Sequence, residues 1–227
     1  MADTTHSGII HLDAYIKNIC TAKPSIVSVI GCGGKSSFVN HLAASFDAPA
    51  GQPVILFGST VHTPRIINKQ SGETSPFCPE TFSGLLSPER VVFLEADGSR
   101  GLPLKGWAAH EPVIPSETTL TVGILPVRPL GRPAHAAFIH RLPLFLEQSG
   151  AEEGKPVLPA HLARLIACPE GLFGKARGSL LLFFNQIEDG ASLAAAREIY
   201  ALLPLAFRSR LLGCIAGSIR QNRVSVL

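Results

Sequence analysis

Nearly unbroken apolar runs alternate along this chain with stretches whose apolar residues recur every three or four positions. Residues 26–30 (Ile-Val-Ser-Val-Ile), 54–57 (Val-Ile-Leu-Phe), 91–94 (Val-Val-Phe-Leu) and 120–125 (Leu-Thr-Val-Gly-Ile-Leu) read as strands covered on both faces, and 180–184 and 211–215 extend the series. Ile9, Leu12, Ile16 and Ile19 keep helical spacing, which predicts an N-terminal helix within residues 1–22 that covers one edge of a sheet. A second helix over 35–45 buries Phe38, Val39, Leu42 and Phe46, and further helices are predicted over 135–148, 161–168 and 192–203. Residues 68–88, rich in Ser, Thr, Gly and Pro, read as a long surface loop with room for one short helix. Strands alternating with helices imply an α/β fold, a three-layer αβα sandwich around a mostly parallel sheet, in one domain spanning 1–227.

Composition narrows the function classes. The chain has 227 residues, 46% hydrophobic and 16% charged, which suits one compact α/β core. A net charge of +3 with scattered Lys and Arg, and no aromatic platform, argues against a nucleic-acid partner. Five cysteines without a C-x-x-C pair fit a reducing cytoplasm better than a zinc site or a disulfide framework. The first residues carry an acid and no apolar core, unlike a signal peptide, and no apolar run reaches membrane-spanning length.

The strand at 26–30 runs into Gly31-Cys32-Gly33-Gly34-Lys35-Ser36-Ser37 at a helix start. Glycines that tolerate positive φ let successive amides face one concavity, a helix N-terminus adds positive potential, and a lysine supplies charge to outer phosphates. Ser36 is placed to ligate Mg²⁺. Standard Walker A spacing would put its first glycine at Val29, so the match is to a shorter form, GxxGK[ST][ST]. That form looks like the compact phosphate loop of the Mur-ligase and folylpolyglutamate-synthase group, and predicts a P-loop NTPase-like fold. Cys32 reads as a small side chain tolerated in a tight turn rather than as a reactive thiol.

A phosphate loop that works with a metal needs a carboxylate at a neighbouring strand end. Glu95 and Asp97 follow the strand at 91–94, and two-residue spacing turns both to one side if the strand continues. Thr60 and His62, just past the strand at 54–57, occupy a position suited to γ-phosphate or substrate contact.

Residues 95–105 (Glu-Ala-Asp-Gly-Ser-Arg-Gly-Leu-Pro-Leu-Lys) and 109–115 (Ala-His-Glu-Pro-Val-Ile-Pro), together with the glycine turn, resemble the YqeC family over most of the chain, from the first strand through Asn185. The family is described as accessory or selenium-cofactor biosynthesis proteins for selenium-dependent hydroxylases. The resemblance implies a nucleotide-binding α/β fold and a role in maturing selenium-dependent molybdenum hydroxylases. Family members tend to carry Asn-Lys-x-Asp where this chain has Asn185-Gln186-Ile187-Glu188, and a threonine-rich run where it has residues 58–62. The altered Asn-Lys-x-Asp leaves the base open between ATP and GTP.

The sequence therefore predicts a Mg²⁺-dependent phosphohydrolase or phosphotransferase. Lys35, Asp97 and Glu95 are its catalytic candidates, Ser36, Asp97 and Glu95 its metal ligands, and Gly31 to Ser37 with Asn185 its nucleotide cradle. Thr60, His62, Arg100, Lys105, His110 and Glu111 are the substrate candidates, Arg100 and Lys105 for an anionic selenium or molybdopterin species. The basic cluster of Arg128, Arg132, His135, His140 and Arg141 is expected to face solvent. The competing expectation is a carrier that binds a nucleotide-containing cofactor and delivers it to a molybdenum hydroxylase without turnover.

Overall fold

A computed structural model of the chain describes residues 9–20, 25–46, 55–61, 64–78, 82–85 and 90–227. Its centre is six parallel strands: β2 (Ser25–Gly31), β3 (Ile55–Ser59), β6 (Val91–Glu95), β8 (Leu120–Pro126), β10 (Ser179–Asn185) and β11 (Leu211–Ser218). They lie in the order β11-β10-β8-β2-β6-β3. Antiparallel strands finish both edges, β12 (Arg223–Val226) and β1 (Ile10–His11) beyond β11, and β4 (Arg65–Asn68) and β5 (Thr74–Pro76) beyond β3.

The period of two along the central strands sends alternate side chains to the two faces of the sheet, where Ile26, Val92 and Leu94 also join a smaller cluster with Ile66, Phe77 and Phe82. On one face Val27, Val29, Val122, Ile124, Leu181 and Phe183 pack under α1 (Leu12–Ile19) and α2 (Lys35–Ser45), with Phe38 and Phe183 ring centroids 5.9 Å apart. On the other, Ile30, Leu125, Leu180, Leu182 and Phe184 are covered by α3 (Leu142–Ser149), α4 (Pro159–Ala167), α5 (Gly190–Leu202) and α6 (Leu205–Arg208). Helices on both faces of a mostly parallel sheet agree with the three-layer α/β expectation.

Several local expectations change. The N-terminal helix is only Leu12–Ile19, and its buried Leu12 and Ile16 join the core under α2, so it lies on a face of the sheet and leaves the edge to β1. The stretch 68–88 holds a short 3-10 helix at Ser83–Leu85, as the sequence allowed, but also a strand it did not announce, Thr74–Pro76, which pairs with β4. Of the predicted helix over 135–148, only the end from Leu142 is helical. Arg141 adopts a left-handed φ of 54°, and Ile139–His140 forms β9, a parallel pair with β7 (Leu104–Lys105). Val54, from the strand predicted at 54–57, lies outside the described residues.

No helix among the described residues is long and apolar enough to cross a membrane.

Candidate functional site

The chain leaves β2 toward β3 on one side, whereas β8 and the later strands extend the sheet to the other. Parallel α/β sheets take ligands outside the carboxyl ends of their strands where the order reverses in this way. A cleft of about 730 Å³ lies there. Residues following β2 (Gly33 to Ser37), β6 (Glu95 and Gly98 to Leu102), β8 (Arg128), β10 (Asn185, Gln186, Glu188) and β11 (Ser218 to Arg220) line it.

The turn after β2 is shaped by backbone that favours glycine. Gly31, Gly33 and Gly34 have φ of 103°, 73° and 137°, and a Cβ at Gly31 would strike the carbonyl oxygen of Ile124 on β8. The Cys32 amide donates to that same carbonyl at 2.9 Å. Among the described residues, the amides of residues 33–37 donate to no other protein group. Five free donors at the start of an eleven-residue helix, in a cleft, form a cradle suited to an anion. Asn185 braces the cradle from behind: its Nδ2 donates to the Gly33 carbonyl at 2.7 Å, and its Oδ1 accepts from the Ile219 amide at 3.2 Å.

Lys35 opens α2 and folds back, its Nζ donating to the Gly31 carbonyl at 2.6 Å and lying 3.7 Å from Glu95 Oε1 and 3.4 Å from Asp97 Oδ1. Ser36 Oγ donates to Glu95 Oε2 at 2.6 Å. Glu95 is the last residue of β6 and remains partly exposed to the cleft.

Asp97 sits beyond the end of β6 yet reaches the same lysine, and it is fully buried. Its two oxygens share the Gly31 amide at 3.1 Å each, while Oδ2 also accepts from Trp107 Nε1 at 2.8 Å and meets Lys105 Nζ at 3.2 Å. Lys105, likewise 0% exposed, donates further to the Gly98 carbonyl and to Glu111 Oε2, both at 2.7 Å. Arg141 closes the chain of charges with two hydrogen bonds to Glu111, at 2.5 and 3.1 Å. Burial pushes the Glu111 carboxyl up, but the hydrogen bonds from Arg141 and Lys105 outweigh it and hold it at about 2.

These contacts redistribute the sequence-predicted residues. Lys105, read as a substrate contact, is sealed in the core because two carboxylates and a carbonyl satisfy its three donors. Glu111 serves the same network rather than the cleft. Asp97, read as a metal ligand, has both oxygens engaged by protein donors. Thr60 is buried, its hydroxyl donating to the Val113 carbonyl at 2.8 Å and its amide to the Glu95 carbonyl at 3.0 Å, so it fixes the strand end that carries Glu95. His110 is exposed beside Glu111, and His62 lies outside the described residues. Burial pushes the Cys32 thiol up to about 12, which removes it as a nucleophile.

The basic cluster expected in solvent divides. Arg141 is tied to Glu111, whereas Arg128 borders the cleft. Burial first, then Arg141, Lys105 and Arg100, keep the His140 imidazole below its ordinary range. Sequence reasoning missed the cleft positions of Arg128 and Arg220, because a solvent-facing and a cleft-facing arginine look alike in a loop. Among the described residues, no group of three or more His, Cys, Asp or Glu side chains converges as a metal site. Beside the glycine turn, the oxygens of Ser36 and Glu95 are open to a cation in the cleft.

Fold and cleft together define a mostly parallel α/β protein with its candidate site at the strand ends. A family model described as "YqeC protein" matches residues 62–143, the part that holds the buried charge network and Arg128. "Uncharacterized protein YqeC" of Escherichia coli (strain K12) is 28% identical over 181 residues, covering 66% of this chain and 71% of that relative. The two matches support assigning the chain to the YqeC family, in agreement with the motifs at residues 95–105 and 109–115. No solved structure matches it.

Proposed function

We propose that this protein binds ATP or GTP with Mg²⁺ through a compact P-loop formed by Gly31 to Ser37, and acts as a phosphohydrolase or phosphotransferase. The observation that carries this is the cradle: five free amides at the N-terminus of α2, with a lysine and a serine–carboxylate pair beside them. Backbone N–H groups and Lys35 would hold phosphate oxygens and stabilise the charge that develops on them. The cleft volume suits a ligand of nucleotide size.

Mg²⁺ takes hard oxygen ligands, commonly one or two from protein with the rest from phosphates and water. Ser36 Oγ and Glu95 Oε2, already 2.6 Å apart, fit that demand. When bound, the cation would neutralise charge on the phosphates. Asp97 would instead act through position: it fixes the Gly31 amide, and so the start of the loop. Asn185 would likewise support the cradle, through the Gly33 carbonyl.

One observation favours a second reading, in which the protein carries a nucleotide-containing cofactor without turning it over. Asp97 is saturated by protein donors, so of the two acids at the end of β6 only Glu95 faces the cleft, and Asp97 is not free to activate an attacking group. The resemblance to the YqeC family supports placing either activity in the cytoplasmic maturation of selenium-dependent molybdenum hydroxylases. A selenium or molybdopterin species and the hydroxylase would be the partners there.

Calorimetry with ATP, GTP and their imido analogues, with and without Mg²⁺, tests the proposal. We expect Mg²⁺-dependent binding of one or both, weakened about a hundredfold by Lys35→Ala through loss of a charge-assisted contact. Unchanged affinity in that variant would remove Lys35 from the site. Phosphate release by the intact protein, absent in the variant, separates the enzyme from the carrier.

A further inference from the structure

We propose that Arg100 and Arg128 form a clamp on the terminal phosphate, so that the cleft selects triphosphates over diphosphates; this rests on the nucleotide reading above. The two arginines come from different connections. Arg100 follows β6 and Arg128 follows β8, the two strands that flank β2. Both border the cleft that the glycine turn opens into, one from each side. Both are exposed, and neither makes an ion pair or hydrogen bond among the described residues. Arg141, by contrast, is fastened to Glu111. Arginines without a carboxylate partner at the rim of one cavity are donors held for an anion that arrives from solution.

The backbone at Arg100 gives an independent observation. Its φ is 51°, left-handed and unfavourable for a side chain with a Cβ, and Gly101 follows at 74°. A 2.9 Å hydrogen bond from the Leu102 amide to the Ser99 carbonyl closes this turn. The preceding Gly98 carbonyl is held by Lys105 at 2.7 Å. The buried network thus fixes the base of a turn whose tip is a strained arginine at the cleft, a pattern that points to function rather than to packing.

Charge decides which anion the pair suits. A nucleoside triphosphate with one Mg²⁺ keeps about two negative charges; Glu95 and Glu188 offset Lys35 and Arg220 among the residues lining the cleft, so Arg100 and Arg128 bring the sum near zero. A diphosphate with Mg²⁺ leaves about one negative charge and nothing beyond the cradle for the arginines to grip. A second anionic substrate bound beside the triphosphate would restore an excess of negative charge, so the clamp accounts better for both arginines.

The test uses the full chain and two sets of probes with Mg²⁺: inorganic tripolyphosphate against pyrophosphate, and the imido analogues of ATP and GTP against ADP and GDP. We expect the wild-type protein to favour each triphosphate, and Arg100→Ala and Arg128→Ala each to weaken triphosphate binding about tenfold while diphosphate affinity stays within about twofold. Arg100→Lys should recover only part of the loss, because an ammonium does not reproduce the forked contact. Equal losses for both phosphate lengths, or none, overturn the clamp. Nucleotide binding that ignores both arginines sinks the clamp and leaves the nucleotide reading intact. Arginine-dependent binding of tripolyphosphate by a protein that binds no nucleotide does the reverse. Binding of none of the probes removes both.

Discussion

Two groups of charges stand side by side at the end of β6, and they are handled in opposite ways. In the network of Asp97, Lys105, Glu111 and Arg141 every charge has a partner, and Asp97 and Lys105 are wholly buried. In the cleft beside it, five amides and three arginines, Arg100, Arg128 and Arg220, have none among the described residues. Buried ion pairs contribute little net attraction after desolvation, but removing one partner strands the other, which makes such a group rigid. Free donors at a cleft have the opposite property, since they gain most of their interaction energy when a ligand arrives. The segment 95–105 contributes to both: Glu95 and Arg100 face the cleft, and Asp97 and Lys105 hold the wall behind it.

The contrast can be broken most forcefully at its rigid side. Lys105→Met leaves Asp97 and Glu111 without their shared cation and should cost about 3 kcal/mol of unfolding free energy, read from urea denaturation. A loss below about 1 kcal/mol would mean that the network is not tight.

Glu111→Gln should cost about 2 kcal/mol at neutral pH, with a characteristic pH dependence. The Glu111 carboxyl is depressed to about 2 from an ordinary 4.5, so its contribution is complete above about 4.5 and is lost as pH falls through about 2. The stability gap between wild type and variant should therefore narrow across that window; a gap constant with pH would exclude ionisation of Glu111 as its origin. The smallest effect belongs to the open side. Ser36→Ala should leave stability unchanged and reduce the Mg²⁺-dependent part of nucleotide affinity about tenfold, measured by calorimetry with and without the cation.

The sequence was most legible where one local rule decides the outcome. β2, β6, β8 and β10 are apolar on both faces, and α2 keeps its buried stripe, so tertiary packing had only to agree with the pattern. The pairing of β7 with β9 escaped because two-residue strands carry no period, and the helix at 135–148 was overextended because nothing local announces the left-handed Arg141. At the site, the glycine turn and the acid at the end of β6 could be read from composition and spacing. The burial of Lys105 could not, because a lysine in a loop becomes a core residue only through partners that the sequence does not pair. Its bonds to Glu111, and that residue's to Arg141 thirty positions further on, exist only in three dimensions.

The carboxamide of Asn185 has a mechanical consequence. One of its ends holds the Gly33 carbonyl of the turn after β2, and the other holds the Ile219 amide after β11, three strands away in the sheet. A single planar, buried group thus acts as a tie bar behind the cradle and links the turn after β2 to the turn after β11. The protein's own hydrogen bonds therefore set the spacing of these two turns, so a ligand bound as proposed would meet a width that is already in place.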